Sequence, residues 1–157
     1  MSLGSRIESL PVVQAVGIRA LKVHQAIYEH TGGRVGHRLG PTRALLLRTV
    51  GAKSGQQRTN ALTYARDGDD YIVVASMGGA PRSPGWYHNL RADPDVEVQV
   101  GTRRMRATAR PVLPGDPDRD RLWELADRNN GGRYSAYQRN TTRPIPVVVL
   151  TPRPTSR

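Results

Sequence analysis

Residues 43–76 read RALLLRTVGAKSGQQRTNALTYARDGDDYIVVAS. Three strand-like segments lie in this stretch, separated by two connections. Arg43–Val50 (RALLLRTV) reads as a strand, Gly51–Gln57 as a connection and Thr59–Arg66 as a second strand. Asp67-Gly68-Asp69-Asp70 is a hairpin turn signal, and Tyr71–Ser76 (YIVVAS) is a third strand, apolar enough to be central.

Outward from this unit the pattern continues. Met77–Pro84 is a Gly/Pro loop that leads into a short helical segment, Gly85–Ala92. Val96–Val100 and Met105–Val112 form another hairpin around Gly101-Thr102, and Pro146–Thr151 supplies a last strand. Asp116–Asn130 opens with acids and carries Leu122, Trp123, Leu125 and Ala126, which predicts a helix. On the N-terminal side, Val16, Ala20, Val23 and Ile27 recur at spacings of 4, 3 and 4, a helical stripe. The helix is placed over Pro11–His30, with Pro11 in the first turn, where a missing N–H costs little. Thr31–Pro41, with four glycines, reads as a loop.

Five or six closely spaced strands with few helices point to a barrel rather than a parallel βαβ sheet. The expected organisation is one domain over 1–157. It comprises a helix and loop in 1–40, a β-barrel over 41–151 and a loose tail over 152–157.

Hydrophobic residues make up 37% and charged residues 24% of the chain, the balance of a soluble globular protein. No apolar run approaches the roughly 20 residues a spanning helix needs, and Met1–Arg6 lacks the pattern of a secretory signal. The chain has no cysteine, so disulfides, thiolate nucleophiles and Cys-ligated metals are excluded; a reducing cytoplasm is compatible with that. Net charge is +11, and residues 1–66 hold ten Lys/Arg against Glu8 and Glu29, a balance of +8. That half should attract an anion such as a phosphate-bearing cofactor, nucleic acid or an acidic membrane surface, unless it is simply an Arg-rich solvated face.

The best anion site is Gly51-Ala52-Lys53-Ser54-Gly55-Gln56-Gln57-Arg58, held between two strands. Its glycines allow backbone N–H groups to turn inward as a nest, Ser54 adds a hydroxyl, and Lys53 and Arg58 add charge. It is not a Walker A loop, because Ala52 stands where glycine should precede Lys53 and no helix follows; a basic hairpin turn is the plain alternative. Ser76-Met77-Gly78-Gly79-Ala80, after an apolar strand, permits close backbone approach to a flat ring or a phosphate. Pro84-Gly85-Trp86-Tyr87-His88-Asn89-Leu90 combines large rings with an amide able to fix a heterocycle edge, although Trp86 and Leu90, four apart, also suit simple packing on the barrel. Tyr134 and Tyr137, three apart on a turn, could wall a pocket and donate protons, or pack in a core.

Other familiar sites are missing. His24, His30 and His37 lack the i,i+4 spacing of a zinc helix, and no GxSxG motif occurs. Asp116, Asp118 and Asp120 suit a helix start rather than an EF-hand. Nucleic-acid binding rests on charge alone, since aromatics do not interleave with bases along one strand face, and none is expected.

Taken in order from Thr49 to Val149, the three glycine-containing segments resemble the deazaflavin-dependent nitroreductase family, F420-dependent reductases related to the flavin-binding split β-barrels. The resemblance also includes Asp93-Pro94-Asp95-Val96 and Arg143-Pro144-Ile145-Pro146, and it spans about Leu45–Leu150. It implies a mainly β (α+β) split barrel of the FMN-binding type. By this resemblance Lys53, Ser54 and Arg58 hold the phosphate-bearing tail of coenzyme F420 (8-hydroxy-5-deazaflavin). Asn60, Leu62, the turn Ala75-Ser76-Met77-Gly78-Gly79-Ala80, Trp86 and Asn89 shape the ring site. Tyr134 and Tyr137 face the substrate, and with Ser76 they are the candidate catalytic groups. The implied reaction is hydride transfer from the reduced deazaflavin to a hydrophobic acceptor, namely an activated alkene, a quinone or a nitroaromatic.

Three positions depart from the best-known members: Met77 replaces a lysine, Thr63 a tyrosine and Asn140 a tryptophan. Two alternatives stay open, an FMN-binding oxidoreductase on the same fold and a non-catalytic carrier of F420 or a lipid-like ligand. The N-terminal helix, with Arg19 and Lys22 beside Leu21 and Val23, could touch an anionic membrane or a second subunit.

Overall fold

A strand whose every side chain is apolar must be covered on both faces, and Ala44–Leu47 is such a strand. In the structure, a computed structural model that describes residues 11–34, 36, 38–39 and 42–154, strand β2 (Thr42–Val50) is buried from Ala44 to Thr49. Alternation sends Leu45 and Leu47 into one cluster, with Val96, Val98, Met105, Ala107 and Val148, and Ala44 and Leu46 into another, beneath Tyr28. The first cluster is the barrel interior. The second is the seat of helix α1 (Pro11–His30), whose bounds match the expected ones.

The remaining elements are β1 (Arg38–Leu39), β3 (Gln57–Thr63), β4 (Ala65–Asp67), β5 (Asp70–Val74), α2 (Gly85–Ala92), β6 (Asp95–Val100), β7 (Arg103–Val112), α3 (Arg119–Asn129), α4 (Arg133–Arg139) and β8 (Val147–Pro152). All strand pairs are antiparallel, in the order β1-β2-β6-β7-β8-β5-β4, with β3 also on β2. Strand β3, on β2 near one end of this path, and β4, at the other end, are separated only by Tyr64, so the sheet curls on itself as a split barrel. This corrects the single strand expected over Thr59–Arg66. The chain changes partner at Tyr64, pairing with β2 before it and with β5 after it, and no one strand can serve both ends.

Strands β5 and β8 are also buried on both faces. Tyr71, Val73, Val148 and Leu150 point into the barrel, while Ile72, Val74, Val147 and Val149 meet Leu122, Ala126 and Tyr134 of α3 and α4. Helix α4 was read as a turn in the sequence; seven residues bounded by Gly131 and Gly132, both at positive φ, are too short to show a period. The expected loop Thr31–Pro41 contains the two-residue β1, paired with Thr42 and Arg43. The tail expected to be loose is ordered at its start: β8 includes Pro152, the Arg153 N–H donates to the Arg106 carbonyl at 2.9 Å, and its side chain pairs with Asp95. Residues 155–157, like His37, lie outside the described residues.

The described part of the apolar stripe of α1 does not face the barrel. Val23 is 59% and Ile27 44% exposed, and Ala20 is exposed too. The helix docks instead through Tyr28, fully buried, and through Gln25. The Gln25 side-chain amide donates to the Thr59 carbonyl at 2.7 Å and accepts from the Ala61 N–H at 3.3 Å, so it covers the outer edge of β3 as a neighbouring strand would.

Candidate functional site

Helix α2 sits at one end of the barrel because its sequence has two faces. Trp86, Tyr87 and Leu90 are buried in the barrel cluster, whereas Gly85, His88 and Asn89, spaced i, i+3 and i+4, look outward. Between this outer face and the β2–β3 loop lies an open cleft of about 890 Å³. Its walls are Gly51–Ser54, Arg58–Asn60, Met77, Pro84–Trp86, His88 and Asn89, and none of them is acidic.

The β2–β3 loop is folded by its own hydrogen bonds. The Gly51 N–H donates to the Gln56 carbonyl at 2.7 Å, the Gly55 N–H to the Gly51 carbonyl at 2.8 Å, and the Gln56 N–H to Ser54 Oγ at 3.2 Å. Gly55 holds φ +69°, which the turn requires, and a Cβ on Gly51 would lie 2.5 Å from Ser54 Oγ and displace it. Asn89 fastens this loop to α2. Its Oδ1 accepts from the Ala52 N–H at 3.0 Å, and its Nδ2 donates to Thr49 Oγ1 at 3.1 Å. Lys53 and Arg58 are exposed and, among the described residues, have no ion-pair partner. The N–H groups of Lys53 and Ser54 donate to no described acceptor. Two cations without an acidic partner, two unengaged amides and a hydroxyl are therefore carried by residues that line the cleft, a donor set suited to a phosphate.

The same cleft has apolar lining: Trp86, 5% exposed and part of the barrel cluster, together with Pro84 and Met77, which is 60% exposed. A flat ring could lie there while its anionic substituent reached Lys53, so the donor set fits a phosphate-bearing heterocycle.

Of the residues singled out in the sequence, Lys53, Ser54, Arg58, Asn60, Met77, Trp86 and Asn89 line the cleft together. Leu62 packs against the barrel cluster, Ala75 is fully buried within it, and Ser76 is 8% exposed. Gly78 is exposed beside Met77. Gly79 is pressed against α4, where an added Cβ would stand 2.6 Å from the Tyr137 carbonyl oxygen. The Ala80 carbonyl accepts from Arg143 Nε at 2.7 Å.

Tyr134 is not in the cleft. It is buried in the α3–α4 cluster, its ring 6.4 Å from those of Trp123 and Tyr137, and this burial pushes its phenol well above the ordinary tyrosine range. Tyr137 is half-buried on the same cluster. Thr59 and His88 line the cleft without having been assigned a role; the i+3 spacing of His88 from Gly85 was the signal available for it.

A family model described as F420H(2)-dependent quinone reductase matches residues 20–152. An F420H(2)-dependent quinone reductase of Mycobacterium tuberculosis is 60% identical over 139 residues, covering 88% of this chain and 93% of that protein. Among solved structures, an F420-H2 dependent reductase (FDR-A) superposes with a TM-score of 0.61 at 38% identity, covering 68% of this chain and 92% of that one. A domain-swapped dimer superposes with a TM-score of 0.64 at 32% identity, covering 85% and 98%. The resemblance read from the three glycine-containing segments is thereby narrowed: the chain belongs to the F420H(2)-dependent quinone reductase family.

Proposed function

We propose that this chain is an F420H2-dependent reductase whose acceptor is a hydrophobic small molecule of the quinone type. The observation that carries this reading is the mixed lining of the cleft, which brings Lys53, Ser54 and Arg58 together with Trp86 and Met77. Lys53, Ser54 and Arg58 would hold the phosphate-bearing tail, and Trp86, Met77 and Asn60 would bound the ring. Asn89 acts on the loop rather than on the ring, because both ends of its amide are already engaged with Ala52 and Thr49. The hydride comes from the reduced coenzyme when it is bound, so the chain's own task is placement within near-attack distance and exclusion of competing acceptors.

The test is a fluorescence titration of the protein with oxidised F420, run beside flavin mononucleotide, followed by reduction of a soluble quinone with F420H2. Saturable binding of F420 alone, with quinone-dependent oxidation of F420H2, supports the reading. Binding of the flavin alone would replace the cofactor, and tight F420 binding without turnover on any quinone would make the protein a carrier.

Gly51→Ala probes the loop. Its Cβ must displace Ser54 Oγ, so F420 affinity is expected to fall about tenfold, the size of one charge-assisted hydrogen bond, with little change in melting temperature. Unchanged affinity by the same titration would detach Ser54 from the tail site.

Tyr134→Phe separates burial from catalysis. The raised phenol makes Tyr134 a poor proton donor, so turnover at neutral pH is expected to stay within about twofold of the parent. The same burial has a consequence for stability, with a definite sign. Below pH about 10 the phenol is protonated in both the folded and the unfolded chain; above it the unfolded chain ionises first. Stability is therefore lost as pH rises past the ordinary tyrosine range, and thermal melts between pH 9 and 11 should decline less steeply in Tyr134→Phe. By contrast, Tyr137→Phe is expected to lower turnover more than F420 affinity.

The exposed Val23 and Ile27, with Lys22 on the same helix, favour a peripheral contact of α1 with a membrane or a second copy. Among the described residues no helix is long and apolar enough to cross a membrane. Vesicle co-sedimentation and light scattering of the eluted protein distinguish the two contacts.

A further inference from the structure

The turn after β5 is held in an unusual conformation. Met77, Gly78 and Gly79 have φ of 46°, 66° and 82°, and Met77 is the one non-glycine residue among those described with positive φ. A side chain in the left-handed region is strained, so something must hold Met77 there.

Arg143 is the group that does so. Its Nε donates to the Ala80 carbonyl at 2.7 Å, Nη2 to the Ser76 carbonyl at 2.8 Å, and both Nη1 and Nη2 to the Ala75 carbonyl at 3.3 Å. Nη1 also reaches Ser83 Oγ at 3.3 Å. These use all five N–H donors of a guanidinium, and among the described residues Arg143 has no acidic partner. Its position is itself fixed. Gln138 of α4 donates to the carbonyls of Thr141 and Arg143 at 3.3 and 2.8 Å and accepts from the Ile145 N–H at 2.9 Å, which braces the segment that carries the arginine.

In a trans peptide the N–H lies antiparallel to the C=O. With the Ala75 and Ser76 carbonyls turned onto Arg143, the N–H groups of Ser76 and Met77 point away from it, and neither donates to a described acceptor. Met77 lines the cleft. The arrangement is a cation behind two peptide units whose N–H ends face away from it, beside the cleft that Met77 lines, as in sites that stabilise a carbonyl or enolate oxygen.

We propose that Arg143 is a positioning residue of this cleft, holding the Ala75–Ala80 turn so that the Ser76 and Met77 amides donate to an oxygen on the heterocycle of the bound coenzyme. The inference rests on the F420 reading above and adds a role for a residue that touches neither coenzyme nor substrate. It also accounts for a methionine in left-handed backbone at the cleft wall. Lysine cannot replace the arginine, since one ammonium with three donors does not span four acceptors set out for a planar fork.

The test compares Arg143→Lys with the parent protein, titrating two probes: oxidised F420 and the deazaflavin riboside that lacks the phosphate-bearing tail. Arg143→Lys is expected to weaken both by about tenfold, one charge-assisted hydrogen bond's worth. Inorganic phosphate, as a competitor for F420, should keep its apparent affinity. The shift in the deazaflavin absorption band on binding should shrink, and Met77→Gly in the Arg143→Lys background should recover part of the affinity, because glycine adopts the turn without restraint. Equal losses for phosphate and riboside, or no recovery with Met77→Gly, would make Arg143 a general structural residue and overturn the proposal. If Arg143→Lys does not fold, Ser83→Ala removes one acceptor at the rim, and a two- to threefold loss for the riboside is expected; no loss overturns the proposal equally. Failure of the parent protein to bind F420 at all would instead remove the functional reading on which the proposal stands.

Discussion

Removing Lys53 and Arg58 together is expected to raise the dissociation constant for oxidised F420 by about a hundredfold, with each single alanine variant accounting for roughly tenfold. Both side chains are exposed, neither is engaged by an acid among the described residues, and both residues line the same cleft as Ser54. Their charge is thus available to a ligand without first breaking an internal pair. A double-mutant cycle measures directly whether the two losses add, as the hundredfold total requires; a smaller total would mean that the two cations are coupled through one phosphate. Affinity of the parent protein should fall with ionic strength, and that dependence should flatten in the double variant. Arg104→Ala removes the same charge from exposed β7 and is expected to leave the titration within about twofold. A comparable loss from Arg104→Ala would mean that the +11 net charge, not the loop, attracts the ligand.

Gly33→Ala is expected to destabilise the fold by about 3 kcal/mol and lower Tm by roughly 10 °C. Gly33 holds φ +86°, and a Cβ there would lie 1.6 Å from the Gly101 carbonyl oxygen and 2.8 Å from Gln99 Nε2. No rotamer relieves this, because the neighbour is the backbone of the β6–β7 turn. The end of α1 would have to lift away, and with it Tyr28. That side chain is fully buried; its hydroxyl accepts from the Gly101 N–H at 2.8 Å and donates to the Ala44 carbonyl at 3.1 Å. Gly32→Ala is the internal control. Gly32 has φ +61° with nothing within 4 Å of the added Cβ, so only the backbone term of about 1 kcal/mol applies. Equal melting temperatures for the two variants would show that α1 does not dock on the β6–β7 turn in this way.

Local signals were strong where a residue's surroundings are set by its neighbours in the chain. The bounds of α1 and α2, the hairpin at Asp67–Asp70 and the glycine-dependent loop at Gly51–Arg58 are features of adjacent residues, and they stand in the structure where their patterns put them. The break at Tyr64 was not legible. Residues 59–66 look uniform as a strand, and only the far partners β2 and β5 make the chain switch between them. Tyr134 shows the same limit: a tyrosine three residues from another can face a pocket or a core, and the packing of α3 against α4 put it in the core.

The direction of the α1 stripe was equally a tertiary decision. Periodicity defines the apolar face of a helix but not what it meets, and the barrel engages Gln25 and Tyr28 through hydrogen bonds rather than Val23 and Ile27 through apolar contact.

By itself, then, the sequence determined the strand-rich class and the glycine-dependent loop, because composition and turn chemistry are carried by residues close together in the chain, and its ordered motifs carried the family resemblance. The tertiary structure alone decided that Asn89 ties the loop to α2 and that Arg143 binds the carbonyls of Ser76 and Ala75. Those are contacts across 37, 67 and 68 positions, and only closure of the barrel brings such residues within hydrogen-bonding distance.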